Sequence, residues 1–374
     1  MEFPFIFGPI VTGRQFIDRK KELVKLRNNI DHGVHTILIS PRRWGKSSLV
    51  HHLSRKLSKD KSIKWVYIDP FGLSDELEFF EEYSKAMLKV ASSKLDDPGK
   101  LIHKFFRNIQ PSITIGKDPK GDFKITLQKA DMEKGFEEIL DLPEKLALKK
   151  RKKLIICIDE FQYIERFKNP LLFQSRLGSV WQNHKEVIYI LCGSKPHRME
   201  KIFNTEGNPF FRLGDVIYLS KIKKKHFRRF IISTFERSGK TIPKERADKL
   251  IEIVGKNPYF VQQLARQVWI KRSEMVIESD IRDAVDEIIQ QNSIWYFREV
   301  ERMTGPQFNY LKAVVNREPN LSGQEVLRKY KLGSSANVAK IKLVMEEREI
   351  LNYKNLYPEF LDPFLKLWIK ENFT

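Results

Sequence analysis

The segment Ser40-Pro41-Arg42-Arg43-Trp44-Gly45-Lys46-Ser47-Ser48 gathers the residue types that hold a phosphate. It follows the apolar run Thr36–Ser40 and opens a helical pattern from Ser47 to Leu57. That strand–loop–helix context is what a phosphate loop needs. Gly45 lets the backbone approach phosphate oxygens closely, and amides at a helix start point toward an anion. The candidate cradle is therefore Arg42, Arg43, Trp44, Gly45, Lys46, Ser47 and Ser48. Lys46 can reach β- and γ-phosphates, and the Ser47 hydroxyl can ligate magnesium. Ser40 stands where the consensus loop begins with glycine.

A second constellation ends the run Leu154-Ile-Ile-Cys-Ile-Asp159-Glu160. An apolar strand ending in two acids puts Asp159 at its C-terminal edge, where it can hold the hydration shell of magnesium. Glu160 can orient and deprotonate an attacking water. Ser194, after Val187–Cys192 and Gly193, is the candidate to position that water; the alternative is a Gly-Ser turn without a role. Arg212 can reach a phosphate from its own chain or from a neighbouring subunit, stabilising charge on the transferred phosphoryl oxygens. Arg198 is its rival, and a plain surface arginine is the other reading. Together these residues predict ATP as ligand, magnesium as its ion, and hydrolysis to ADP and phosphate.

Positioning them requires strands. Thr36–Ser40, Lys64–Asp69, Leu154–Asp159, Val187–Cys192 and Val216–Leu219 are short, β-rich apolar runs separated by helical patterns. The alternation predicts an α/β domain, and near-continuous apolar character suits a parallel sheet buried on both faces. A long insertion follows the second run, with a β-hairpin expected where Ser112–Gly116 and Phe123–Leu127 flank Lys117–Asp122. A helix is expected over about 132–150, ending in Lys149–Lys153. From about residue 221 helical periodicity takes over, and Leu250–Val254 followed by Gly255 reads as a glycine-capped helix end.

The 374 residues suggest two or three domains, at roughly 100–200 residues per domain. With 41% hydrophobic and 31% charged residues, the chain reads as globular and soluble. No apolar run reaches the ~18 residues of a membrane helix. The N-terminus lacks the basic and small-residue marks of a secretory signal. Cys157 and Cys192 lie inside apolar runs, read as small buried hydrophobes rather than a disulfide or zinc framework. A cytoplasmic protein is expected. The balance of 68 Lys+Arg against 48 Asp+Glu leaves +20. That is either a field for polyanions or a solvated basic surface.

In this order the motifs resemble the archaeal-type ATPases of the STAND branch of the AAA+ P-loop superfamily, over nearly the whole chain. Phe16-Ile17-Asp18-Arg19-Lys-Lys-Glu22 is similar to the family's N-terminal segment beside adenine and ribose, with Asp18 in place of glycine. The resemblance carries Ile17 and Arg19 over as contacts on that side of the nucleotide. Residues 40–47 and Cys157–Gln162 resemble its Walker A and B motifs, and Gly193-Ser194 its sensor 1. Asn208-Pro-Phe-Phe-Arg212 is similar to a segment carrying the family's arginine; Gly255-Lys-Asn-Pro258-Tyr-Phe is similar to the lid motif whose proline packs on the base. The implied fold is an AAA+-type parallel-sheet core over 1–220, a helical lid over 221–290 and a winged-helix domain over 291–374.

The last part supports that expectation by its own pattern. Helices are expected at Thr304–Asn316, Ser322–Tyr330 with Ser322 as N-cap, and Ser334–Glu347, with Gly333 at the turn. Ile350–Pro358 suggests a two-stranded wing, and Asp362–Ile369 resembles the segment that closes the family's winged helix. A reading helix would offer Ser334, Ser335, Asn337, Lys340 and Lys342, with Lys354 on the wing. Yet residues 295–374 hold 13 Lys+Arg against 10 Asp+Glu, only 3 of the excess. The expected function is a magnesium-dependent ATPase whose nucleotide state rearranges lid and winged helix. The alternative is a nucleotide-gated DNA-binding or scaffold switch with slow hydrolysis. Its partners would be double-stranded DNA, another protein or further copies of the chain, and no membrane.

Overall fold

The computed structural model describes residues 4–91, 114–117, 123–271 and 273–374. Ser112, Ile113 and the turn residues 118–122 of the expected hairpin lie outside the described residues. The chain divides into two compact units, Arg19–Ser40 with Lys46–Leu219, and Met1–Asp18 with Pro41–Gly45 and Ser220–Thr374.

The first is the sheet unit. Its strands are β1 (Thr36–Ile39), β2 (Ile63–Ile68), β5 (Lys153–Ile158), β6 (Val187–Gly193) and β7 (Asp215–Tyr218), in the order β2-β5-β6-β1-β7. Every pairing is parallel. The central strands β1 and β6 are buried at every position, whereas the edge strands β2 and β7 alternate buried and exposed residues. Burial on both faces, expected of all five runs, therefore holds for the central strands, while β2 and β7 are partly exposed because each is paired on one side only. The connecting helices are α1 (Lys20–Asp31), α2 (Lys46–Leu57), α3 (Glu76–Ala91), α4 (Lys129–Lys150), α5 (Pro170–Trp181) and α6 (Pro196–Asn204). A separate antiparallel hairpin pairs β3 (Thr114–Lys117) with β4 (Phe123–Thr126).

The helical unit contains α7 (Lys224–Arg237), α8 (Lys244–Ile253), α9 (Pro258–Ile270), α10 (Glu278–Glu301), α11 (Gly305–Val315), α12 (Gln324–Lys329), α13 (Ser335–Glu347) and α14 (Pro363–Phe373). Between the last two lies a short hairpin of β8 (Leu351–Asn352) and β9 (Glu359–Phe360). The N-terminal residues belong to its core, where the Phe5 ring lies 5.8 Å from Phe230 and 5.4 Å from Phe235. Ser334 caps α13 by accepting from the Asn337 amide at 3.2 Å. Ser322 does not cap α12; its amide donates to Asn320 Oδ1 at 3.2 Å in an Asx turn, which delays the helix until Gly323 can serve as its N-cap. No described helix is long and apolar enough to cross a membrane.

The core of the sheet unit carries a titratable group. The Trp181 ring stacks on Tyr189 at 4.1 Å, the Tyr189 and Tyr83 hydroxyls are 3.1 Å apart, and His184 Nδ1 lies 3.0 Å from the Tyr189 hydroxyl. Burial lowers the His184 pKa from 6.5 to about 4, against the opposing pull of Asp141. A histidine held neutral by the fold contributes fully above its unfolded value and loses that contribution as pH falls from 6.5 toward 4. Thermal melts across that interval should therefore show a steeper fall for the wild type than for His184→Gln. Parallel pH profiles would disprove the assignment.

Candidate active site

Three neighbouring strand ends build the site. The loop after β1 leads into α2, so Lys46 and Ser47 occupy the first turn of that helix, where the backbone presents amides and positive dipole. β6 lies beside β1 with Gly193 opposite Ile39, and β5 lies beside β6 with Ile158 opposite Leu191. Adjacent strands are about 4.8 Å apart. This order places Ser194 between the loop and the Asp159-Glu160 pair.

The side chains meet in a charged network. Lys46 is 6% exposed, and its Nζ lies 3.0 Å from Asp159 Oδ1 and 3.1 Å from Glu160 Oε1. Burial opposes the lysine's charge, but the two carboxylates outweigh it and hold the pKa above that of an ordinary lysine. Burial also opposes the charge of Asp159, yet Lys46 and the Ser47 hydroxyl hold its pKa below the usual 3.8. Ser47 Oγ donates to Asp159 Oδ2 at 2.6 Å. On the far side Ser194 Oγ donates to Glu160 Oε2 at 2.6 Å. Glu160 itself stands in the left-handed region at φ 50°, at the entry to the 3₁₀ turn Phe161–Arg166. A non-glycine residue there is a local strain that surrounding contacts must maintain.

The structure therefore unites Lys46, Ser47, Asp159, Glu160 and Ser194. It also adds Gln162, for which the sequence offers no role. Its Nε2 donates to Glu160 Oε2 at 2.5 Å and to Ser194 Oγ at 3.3 Å. The signal available was position alone, two residues beyond the glutamate. Asp69, just past β2, is a second addition. Burial first, and then the charges of Asp159 and Glu160, raise its pKa, while Lys46 opposes the shift.

The remaining predicted residues have other surroundings. Arg19 is 3% exposed and donates to Glu22 at 3.1 Å. Asp18, at φ 56°, adopts the left-handed backbone that the glycine it replaces would favour. Ser40 is not among the left-handed residues, so its position makes no demand for glycine; its amide donates to the Gly193 carbonyl at 3.2 Å. Ser48 is buried on α2. Arg212 is exposed, and its guanidinium lies 5.0 Å over its neighbour Phe211, so within this chain it does not join the Lys46 network. In the helical unit, Ile17 packs into the hydrophobic core, and Pro258 occupies the first turn of α9 behind the N-cap Asn257. Gly45, at φ 87°, has open space at its Cβ position, so its requirement is conformational. Trp44 is 8% exposed. Arg42 pairs with Glu349 at 3.7 Å, and Arg43 pairs with Asp362 at 3.8 Å while lying 4.6 Å over the Tyr259 ring. Both arginines thus meet carboxylates of the C-terminal segment.

Comparison with known proteins agrees with this geometry. The model of an ATPase domain family, predominantly from Archaea, matches residues 16–264. Among solved structures, the Walker-type ATPase PABY2304 of Pyrococcus abyssi is 14% identical, with a TM-score of 0.70 over 98% of this chain and 99% of that one. The Aeropyrum pernix ORC2 protein, solved as ADPNP–ADP complexes, is 12% identical, with a TM-score of 0.52 over 94% and 93%. The Aeropyrum pernix ORC1 protein, solved in complex with DNA, is 13% identical, with a TM-score of 0.50 over 97% and 94%. At these identities the likeness is one of fold: an α/β domain with a five-stranded parallel sheet, followed by a helical C-terminal region. A search of curated proteins finds no match.

Gly193 gives this network a structural test. A Cβ there would overlap the Met199 side chain and stand 2.7 Å from Gln162 Oε1. Gly193→Ala should cost about 1–3 kcal/mol through overpacking, read by urea denaturation. An unchanged midpoint would show that the strand end has room to spare.

Proposed function

The chain belongs to the family of ATPase domains found predominantly in Archaea, and on that premise we propose that it is a magnesium-dependent ATPase whose nucleotide state sets the arrangement of its C-terminal helices. The observation that carries the reading is the buried Lys46 held between Asp159 and Glu160 at the start of α2. A lysine so placed supplies a fixed positive charge for β- and γ-phosphates at a helix N-terminus. Ser47 and Asp159 are oxygen donors, a set that suits a hard cation, and they would hold magnesium. When bound, that ion neutralises charge on the phosphate oxygens.

Glu160 is the general base in this reading. Ser194 and Gln162 fix one of its oxygens, so the carboxylate has the orienting partners that a base requires. Water adds to the γ-phosphorus, its proton passes to Glu160, and the bond to the ADP oxygen breaks. Arg212 supplies charge from a neighbouring copy. Ile17, Arg19 and Pro258 serve the adenosine end, and the backbone of 42–48 serves the phosphates. Residues 1–220 act as the core, 221–290 as the lid and 291–374 as a winged helix in a cytoplasmic protein. Support for coupling comes from Arg42 and Arg43, whose partners Glu349 and Asp362 lie in that last part.

A second reading is a nucleotide-gated DNA-binding switch in which hydrolysis is slow. The sequence α12, a turn at Gly333 with φ 79°, α13 and the β8–β9 hairpin favours it. The outward residues of α13 weaken it, since Ser335, Ala336, Ala339 and Leu343 accompany Lys340 as its exposed positions. Steady-state turnover with and without duplex DNA separates the two.

Two substitutions test the first reading. Lys46→Ala removes a charge-assisted contact that contributes about 1.5–3 kcal/mol, so ATP affinity should fall about tenfold or more. Calorimetry showing affinity within twofold of wild type would reject the phosphate-loop role. Glu160→Gln should still bind ATP while turnover falls by about 10²–10⁴, the usual contribution of a general base. An unchanged kcat would move the base to another residue.

A further inference from the structure

The helical unit contains a cleft of about 920 Å³ between the end of α8 with its following turn and the β8–β9 hairpin with its loop. Its volume is within the range of small-ligand pockets, roughly 300–1,000 Å³. The charges lining it do not balance. Both lining carboxylates are already engaged, Glu359 with Lys221 at 2.5 Å and Glu252 with Lys224 at 2.5 Å. Arg317, just after α11, and Lys366, on α14, also line the cleft, and neither is in salt-bridge contact with a carboxylate among the described residues. Lys366 is half-buried and Arg317 exposed; burial first, and then the charges of Arg317 and Lys370, lower the Lys366 pKa against the opposing charge of Glu359. Arg317 is held in the left-handed region at φ 57°.

Lys221, Arg317, Lys354 and Lys366 line the cleft against two carboxylates, Glu252 and Glu359, and such a cationic excess is stabilised by an anion that brings several oxygens. The same cleft offers ring faces. Tyr357 is anchored through its hydroxyl, which donates to the Ala313 and Val314 carbonyls at 3.4 Å, and Phe360 stands on β9 beside it in the lining. Anchored rings beside paired cations are the combination that takes a base and its phosphate together. Trp44 of the phosphate loop lines the same cleft with Gly255 and Asn257, whereas Lys46, Ser47, Asp159 and Glu160 do not.

We propose that the cleft is a second binding site, for a nucleoside phosphate, with Arg317 and Lys366 on the phosphate and Tyr357 and Phe360 against the base. The proposal does not require the ATPase reading, because its cations are not those of the Lys46 network. A nucleoside phosphate comes either as a free nucleotide or within a single strand, and the two sources are separable. The full chain is titrated with ATP and with a 12-residue oligothymidylate, as wild type, Lys46→Ala and Arg317→Ala/Lys366→Ala. For a free nucleotide, ATP fills two sites; the double variant weakens one at least tenfold and Lys46→Ala weakens the other. For a strand, the oligothymidylate binds, its affinity falls at least tenfold in the double variant, and Lys46→Ala leaves it unchanged. Arg317→Lys/Lys366→Arg keeps the charges and should bind within threefold of wild type, which excludes a folding defect. The proposal is overturned if ATP fills a single site that Lys46→Ala removes and the double variant leaves oligothymidylate binding as it was, whether present or absent. If the Lys46 site fails while the cleft binds, the ATPase reading falls and this one stands.

Discussion

A lysine ammonium cannot be buried alone. Removing a charge from water costs several kcal/mol in a real protein, and only close, well-directed partners offset it. Lys46 meets that requirement with two carboxylates at 3.0 and 3.1 Å. The same pairing commits the carboxylates, because Asp159 and Glu160 face each other's charge and depend on the lysine between them. Ser47 takes the second oxygen of Asp159, and Ser194 with Gln162 takes the second of Glu160. The strand order, the αL backbone of Glu160 and the absence of a side chain at Gly193 all serve this arrangement. An oligophosphate is a natural competitor for the lysine, since it offers the same negative charge with more oxygens.

Much of this was legible in the sequence because the physics is local. Strands buried on both faces must be apolar throughout, so the runs stand out; the partial exposure of β2 and β7 comes from their edge places in the sheet, which the runs alone do not reveal. The glycine, lysine and serine of the loop sit in consecutive positions, and two acids end an apolar run. What joins them is less local. That β6 lies between β1 and β5 follows from sheet assembly, and only that order carries Ser194 to Glu160.

Gln162 shows where local reading ends. A glutamine two residues past an acid has no distinctive pattern. Its role arises because the chain turns into a 3₁₀ segment and because Gly193, bare of a Cβ, leaves room for its amide. Asp18 illustrates the converse. The residue type argues against a glycine-like backbone, yet φ is 56°, a conformation that aspartate tolerates better than most side chains. The α12 cap falls at Gly323 rather than Ser322, whose amide instead closes an Asx turn on Asn320. Arg42 and Arg43 were legible as loop residues, but their partners were not, because Glu349 and Asp362 are hundreds of positions away in sequence.

Those arginines give the loop a divided allegiance. Lys46 and Ser47 answer to Asp159 and Glu160, whereas Arg42 and Arg43, a few residues earlier, answer to Glu349 and Asp362. Asp362 is doubly engaged. It caps α14 by accepting from the Phe364 and Leu365 amides at 2.9 and 3.3 Å, and burial raises its pKa even with Arg43 beside it. Arg43 is itself in the left-handed region at φ 67°, over the Tyr259 ring that follows Pro258. A carboxylate that both starts a helix and holds a strained loop arginine makes the two conformations interdependent. The end of α13 and the start of α14 are thus fixed in part by the charges of Arg42 and Arg43.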